Sequence, residues 1–155
     1  MYRILAINPG STSTKIALFD DEKMVFKENL THEADKLAQF KEISEQLPYR
    51  TEMVIEALNK NNIPLETIDA FSGRGGGLVS VAGGTYEIND ILLHHAQIGY
   101  TMKHASVLGA QIAYNLAKIN NKKAYVVNPV TVDEKQEISR VTGIKGIYNQ
   151  SIFHA

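Results

Sequence analysis

The stretch Asn8-Pro9-Gly10-Ser11-Thr12-Ser13-Thr14-Lys15 constrains this chain more than any other. An apolar run, Ile4-Leu5-Ala6-Ile7, leads into it, and a second, Ile16-Ala17-Leu18-Phe19, leads out. Two such runs joined by a short polar turn predict a β-hairpin. Pro9 fixes φ and Gly10 tolerates φ > 0, so the backbone can turn sharply there. The turn offers N–H groups, four hydroxyls and one ammonium to a single point. That inventory suits a phosphate, which has only acceptor oxygens and negative charge. A Walker A loop is the wrong description. Thr14 stands where that pattern needs its second glycine, and the residues after Lys15 read as a strand, not a helix. From the residues alone, a phosphate loop and a Ser/Thr-rich turn that binds nothing both stay open.

A length of 155 residues suits one domain with a proper core, and the apolar fraction is that of an ordinary globular protein. Without cysteine there is neither a disulfide framework nor a thiolate metal site. A net charge of −1 argues against a general nucleic-acid or membrane-surface binder. No apolar run approaches the roughly 18 residues of a membrane span, and the N-terminus enters a strand rather than a signal peptide. The expectation is a soluble cytoplasmic protein with no nucleic-acid or membrane partner. The last residues, Ser151-Ile152-Phe153-His154-Ala155, stop in mid-pattern, as expected of a fragment.

Taken in order, residues 2–7, 15–19 and 24–30 read as three strands with short connections, an antiparallel meander. From about residue 33 the period changes. Leu37, Phe40, Ile43 and Leu47 recur at helical spacing until Pro48, which is expected to end that helix. A second helix carries Met53, Val54, Ala57 and Leu58 on one face. Residues 67–72 read as a buried strand running into Gly73-Arg74-Gly75-Gly76-Gly77, and residues 85–88 as a short strand. Asn89 or Asp90 caps the helix that follows. A clearer helix has Leu108, Ile112, Leu116 and Ile119 on one stripe, and residues 124–127 form the last strand. Thr131 and Glu134 have capping-box spacing, predicting a helix through about Val141. The order is α/β, a mixed sheet whose first three strands are antiparallel and whose helices cover both faces.

Three polar loops leave strand ends where ligands bind in such sheets: residues 8–15, 73–77 and 128–133. Arg74 among glycines is suited to clamp a carboxylate or phosphate bidentately. His32, at a strand-to-helix junction, is expected at the surface. Adjacent His94 and His95 point in different directions on a helix and do not suit a metal. His104, just before a helix, can cap it or face the site. Asp133 and Glu134 suit a helix's first turn better than acid–base work.

With Ile7-Asn8-Pro9-Gly10-Ser11-Thr12-Ser13-Thr14-Lys15, Arg74-Gly75-Gly76, Gly83-Gly84-Thr85-Tyr86, His104-Ala105-Ser106, Val132-Asp133-Glu134 and Ser151-Ile152-Phe153-His154-Ala155 in this order, the chain resembles the butyrate branch of the acetate and butyrate kinase family. The resemblance implies a ribonuclease H-like, actin-like ATPase domain. It also implies reversible phosphoryl transfer between ATP and a short-chain fatty acid such as butyrate, giving an acyl phosphate and ADP with Mg²⁺. Another acid (acetate, propionate or a branched relative) and a non-catalytic module of the same fold are the alternatives. By position, Asn8, Ser11 and Ser13 would face the transferring phosphoryl group and the metal, with Thr12 and Lys15 in the same phosphate loop. Arg74 would hold the substrate carboxylate, and His104 and His154 would lie beside the transferred group. The metal set implied is Asn8, Ser11 and Asn128. The family has two domains of this fold and forms homodimers. Residues 1–155 would be the first domain, without the second, nucleotide-binding one, and so inactive alone. The family's pattern has aspartate where this chain has Asn128, which implies weakened Mg²⁺ binding, because asparagine supplies an oxygen but no charge.

Overall fold

The structure is a computed structural model describing residues 1–151; His154 and its neighbours in 152–155 lie outside the described residues. Three strands open the chain: β1 (Arg3–Pro9), β2 (Ser13–Asp20) and β3 (Lys23–Thr31). They form the expected antiparallel meander, with Leu5 opposite Leu18 and Ile7 opposite Ile16. A short α1 (Ala34–Leu37) precedes α2 (Leu47–Lys60), and β4 (Ala70–Gly73) then joins β1 in parallel. Next come β5 (Thr85–Glu87), α3 (Asp90–Ile98), α4 (Val107–Ile119), β6 (Lys123–Val127) and a one-turn α5 (Glu137–Arg140). The sheet order is β3-β2-β1-β4-β6-β5, with β1, β4 and β6 mutually parallel and β5 antiparallel at the far edge.

Alternation along the strands decides where the core lies. Leu5, Ile7, Ile16, Leu18, Phe71 and Val126 all point to one face, where they meet Val54 and Leu58 of α2 and Leu108, Ile112 and Leu116 of α4. Helices α2 and α4 therefore share a face instead of lying on opposite ones. Ala6, Ala17 and Ser72 on the other face are half-buried. Helix α4 is buried almost all round, as befits the central helix of a small domain. It also touches the sheet backbone to backbone. A Cβ placed on Gly73 would lie 2.1 Å from the Gly109 carbonyl oxygen, and one on Gly109 would lie 2.4 Å from that of Arg74. Only two glycines allow that approach.

Several local expectations change. Pro48 opens α2 instead of closing the segment before it, because the N–H that proline lacks has no helical partner in a first turn. The segment before it is broken into α1, an irregular stretch and a 3-10 turn (Ile43–Gln46). Ile119 is 65% exposed in the last turn of α4, in a groove beside Leu47 and Thr51. Asn89 caps α3, its side-chain oxygen accepting from Leu92 N–H at 2.9 Å. The Thr131–Glu134 capping box does not form. Thr131 is buried and donates to the Val79 carbonyl at 3.0 Å, so the chain stays extended there. Asp133 pairs instead with Arg140, at 2.9 and 3.1 Å, and that guanidinium holds its carboxyl below the usual range. None of the helices among the described residues is long and apolar enough to cross a membrane.

His32 is buried, contrary to expectation. Its Nε2 lies 2.8 Å from Thr14 Oγ1, its Nδ1 3.2 Å from Met53 Sδ, and its ring meets Tyr49 edge-on at 5.3 Å. Burial, helped by the nearby Arg50 charge, pushes its pKa down to about 4.

Two measurements check this packing. Gly109→Ala should lower unfolding free energy by about 1–3 kcal/mol through overpacking against β4, read as a shifted denaturation midpoint. Folded His32 stays neutral while the unfolded chain takes up a proton below its ordinary value near 6.5, so stability should fall as pH drops from 6.5 toward 4. The loss should reach at most about 3 kcal/mol and should flatten in His32→Gln.

Candidate active site

The hairpin between β1 and β2 stands at the edge where the parallel strands end. Its turn is organised by its carbonyls. Gly10 N–H donates to Ser13 O at 2.7 Å, and His32 N–H donates to Thr12 O at 2.9 Å. Arg50, on the first turn of α2, takes nearly everything else. Its guanidinium donates to Gly10 O at 2.9 Å, Ser11 O at 3.1 Å, Ser13 O at 3.3 Å and Thr14 Oγ1 at 3.1 Å. Its Nε donates to Gln46 Oε1 at 3.0 Å. The carbonyls of Gly10, Ser11 and Ser13 are thus turned inward to Arg50, and that of Thr12 is held by the chain just after β3. The N–H groups of Ser11 and Thr12 have no acceptor among the described residues, and both residues are exposed.

Arg50 is 0% exposed and has no carboxylate partner among the described residues. Burial lowers its pKa from the usual value, but a guanidinium stays protonated at neutral pH. Of the four hydroxyls in the turn, that of Thr14 is spent on this interior network, bonded to both Arg50 and His32. Those of Ser11, Thr12 and Ser13 remain at the surface side. Asn8 and Lys15 are directly opposed across the hairpin, so their side chains share the face away from the helices.

Arg74 enters from β4. Its N–H donates to Ile7 O at 2.8 Å, and it follows Gly73, which is in register with Ile7. Arg74 therefore stands beside Asn8 at the ends of two parallel strands. It is half-buried, with no ion pair among the described residues. The glycines after it are needed for packing: a Cβ on Gly76 would lie 2.1 Å from Ser106 Oγ.

Ser106 leads to His104. The Ser106 N–H donates to His104 Nδ1 at 3.2 Å, and the Ser106 hydroxyl lies 3.1 Å from the same nitrogen. An acceptor Nδ1 in a neutral ring puts the proton on Nε2. That Nε2 faces the hairpin, 3.4 Å from Ser11 Oγ. The fold thus brings Asn8, Ser11, Thr12, Ser13, Lys15, Arg74 and His104 to one corner of the sheet edge.

Asn128 leaves β6 at the same edge but is engaged elsewhere. Its backbone is left-handed, φ +39°, a conformation asparagine tolerates better than most residues. Its Oδ1 accepts from Gly84 N–H at 2.7 Å, and its own N–H donates to Gly84 O at 3.0 Å. Glu134 is the carboxylate nearby: a Cβ on Gly83 would lie 3.0 Å from its Oε1 and 3.7 Å from Asn128 Oδ1. His94 and His95 lie on α3, and the His95 ring packs on Tyr100 at 4.8 Å.

Chemically, the corner offers two outward amides, three hydroxyls, an imidazole N–H and the cations of Lys15 and Arg74, with Arg50 behind. It suits a phosphoryl group next to a carboxylate. The residue that sequence reading missed is Arg50. Its signal is a lone cation at i of the apolar stripe Arg50, Val54, Ala57, Leu58.

No family model matches the chain. Butyrate kinase 1 of Clostridium acetobutylicum is 44% identical over all 155 residues, and the chain spans 44% of that protein. Acetate kinase of Porphyromonas gingivalis shares the fold over 99% of this chain and 45% of its own, with TM-score 0.60 and 14% identity. A propionate kinase of Francisella tularensis matches over 94% and 42%, with TM-score 0.57 and 16% identity. Acetate kinase of Entamoeba histolytica matches over 93% and 39%, with TM-score 0.56 and 15% identity. The chain spans less than half the length of each of these relatives. Over its whole length this chain is similar to a butyrate kinase, and it is folded as acetate and propionate kinases are.

Proposed function

We propose that this chain forms the acid-binding part of a cytoplasmic, homodimeric short-chain fatty-acid kinase that transfers the γ-phosphoryl group of ATP reversibly to butyrate. The observation that carries the reading is the corner itself: Ser11 and Thr12 amides facing outward, with Arg74 beside Asn8 and in no ion pair among the described residues. In the forward direction a carboxylate oxygen of butyrate forms a bond to phosphorus as the bond from phosphorus to the β,γ-bridging oxygen breaks. The products are butyryl phosphate and ADP. The acid is already ionised at neutral pH, so no general base is needed. Charge neutralisation and in-line positioning are.

Each residue then has a task. Arg74 grips the carboxylate bidentately. The Ser11 and Thr12 amides, the Ser13 hydroxyl and Lys15 hold the phosphoryl oxygens, and Asn8 orients them. His104 donates from Nε2 to the transferring group, its tautomer set by Ser106. His154, outside the described residues, takes the matching place by position in the family. Nucleotide and acid would meet only in a protein of the relatives' length, so residues 1–155 alone should bind acid or acyl phosphate without turnover.

Mg²⁺ is expected with the nucleotide. Asn8, Ser11 and Asn128 supply neutral oxygens only, and that of Asn128 is already shared with Gly84. Such a set fits an ion carried in by ATP phosphates and not a resident one. When bound, the ion neutralises charge on the transferring group.

Acyl-hydroxamate formation tests the reading, using a protein of the relatives' length that carries these residues, with Mg·ATP and butyrate, propionate or acetate. Activity highest on butyrate is expected; silence on all three acids from a folded, nucleotide-binding protein refutes it. Asn128→Asp keeps an acceptor for Gly84 N–H and adds a charge. It should lower the Mg²⁺ concentration needed for half-maximal rate, and an unchanged Mg²⁺ dependence would contradict the assigned metal contact.

A further inference from the structure

We propose that Arg50 is the positioning residue of the phosphate loop, and that the bound phosphoryl group is the counter-ion its buried charge lacks among the described residues. The inference rests on the hairpin loop being the phosphate site. A buried guanidinium ordinarily faces a carboxylate, because a charge taken out of water without one is costly. Arg50 faces four neutral oxygens of residues 10–14 and one of Gln46. Those dipoles engage all three of its nitrogens but leave its net charge of +1 in place.

The direction of the dipoles makes this useful. Each peptide whose carbonyl is drawn inward to Arg50 turns its N–H the other way. Gly10 O and Ser11 O are both held by Arg50, and the N–H groups that follow them in the chain, those of Ser11 and Thr12, are the two without an acceptor among the described residues. One side chain thus sets the outward direction of two amides and places a positive charge behind them. An anion on the outer side of the loop gains from both, with one layer of backbone between it and the guanidinium. Ser13 O and Thr14 Oγ1 complete the grip, and Gln46 fixes the plane of the fork from α2. Arg50 touches no reacting atom; it acts through the loop.

A lysine cannot reproduce this, since one ammonium cannot reach several acceptors in the planar fork that guanidinium provides. Isotope-labelled protein is titrated with inorganic phosphate and, separately, with butyryl phosphate, reading the Ser11 and Thr12 amide resonances by NMR. Movement of both amides is expected, together with a shift of the Arg50 Nε–H resonance at the same midpoint. In Arg50→Lys, with core resonances such as Ile112 unmoved, affinity should drop about tenfold or more. Unchanged affinity in that folded variant overturns the role of Arg50 and leaves the phosphate site standing. Wild-type amides that respond to neither ligand overturn the phosphate site itself. Should the variant not fold, the wild-type protein decides: an Arg50 Nε–H resonance that stays fixed while Ser11 and Thr12 move overturns the proposal.

Discussion

A charge buried without an opposite charge among the described residues governs this domain. Arg50 occupies a core position of α2, and the cost of taking its guanidinium from water is met only by polar atoms that converge on it. The convergence forces the β1–β2 turn to lie over the first turn of α2 with its carbonyls inward. It also explains why Thr14, one of the hydroxyls in a Ser/Thr-rich turn, points into the core and why a neutral His32 sits against it. Protonating His32 would place a second cation beside the first, so burial and Arg50 push its pKa the same way. The loop, the start of the helix and the end of β3 form one unit.

A second constraint holds Arg74 to that unit. Because Gly73 and Gly109 let α4 rest on the backbone of β4, the start of α4 lies close to the strand's end. Ser106 then packs on Gly76, orients His104, and His104 reaches Ser11. The sheet edge is therefore assembled from two directions, through α2 to the hairpin and through α4 to the Arg74 loop. The parallel register of Ile7 with Gly73 brings the two together at Asn8.

Much of this was legible in the sequence, for identifiable reasons. Alternating apolar residues and short polar turns marked the meander, and glycine runs marked the Arg74 loop. The errors came from residues with two physical meanings. Pro48 can stop a helix or begin one, and only the packing of Val54 and Leu58 decides which. Thr131 followed by Glu134 looks like a cap, but its hydroxyl was taken by Val79 across the chain. His32 reads as a surface residue, and Arg50 attracts no reading at all, because charge and polarity normally lie outside. Their partners are backbone carbonyls, the Thr14 hydroxyl, Gln46 and Met53, and none of these marks a buried polar pair in the sequence. Asn128 is the converse case. Read as a weakened metal ligand, it also has a conformational reason, since its left-handed backbone and paired bonds to Gly84 suit asparagine.

The balance of charge at the corner bears on which chemistry it can serve. Lys15, Arg74 and Arg50 are cationic, the serine and threonine groups are neutral, and Arg74 has no carboxylate partner among the described residues. A site that had to deprotonate a hydroxyl would need a carboxylate or a free imidazole nitrogen pointed at the substrate. Here Nδ1 of His104 is turned back onto Ser106 and only its N–H side faces the hairpin. An acceptor that arrives already ionised avoids that need and adds negative charge that the three cations offset. Carboxylates meet this description at neutral pH and alcohols do not. Under the proposed reading, an already ionised acceptor suits the cations that the described residues gather here.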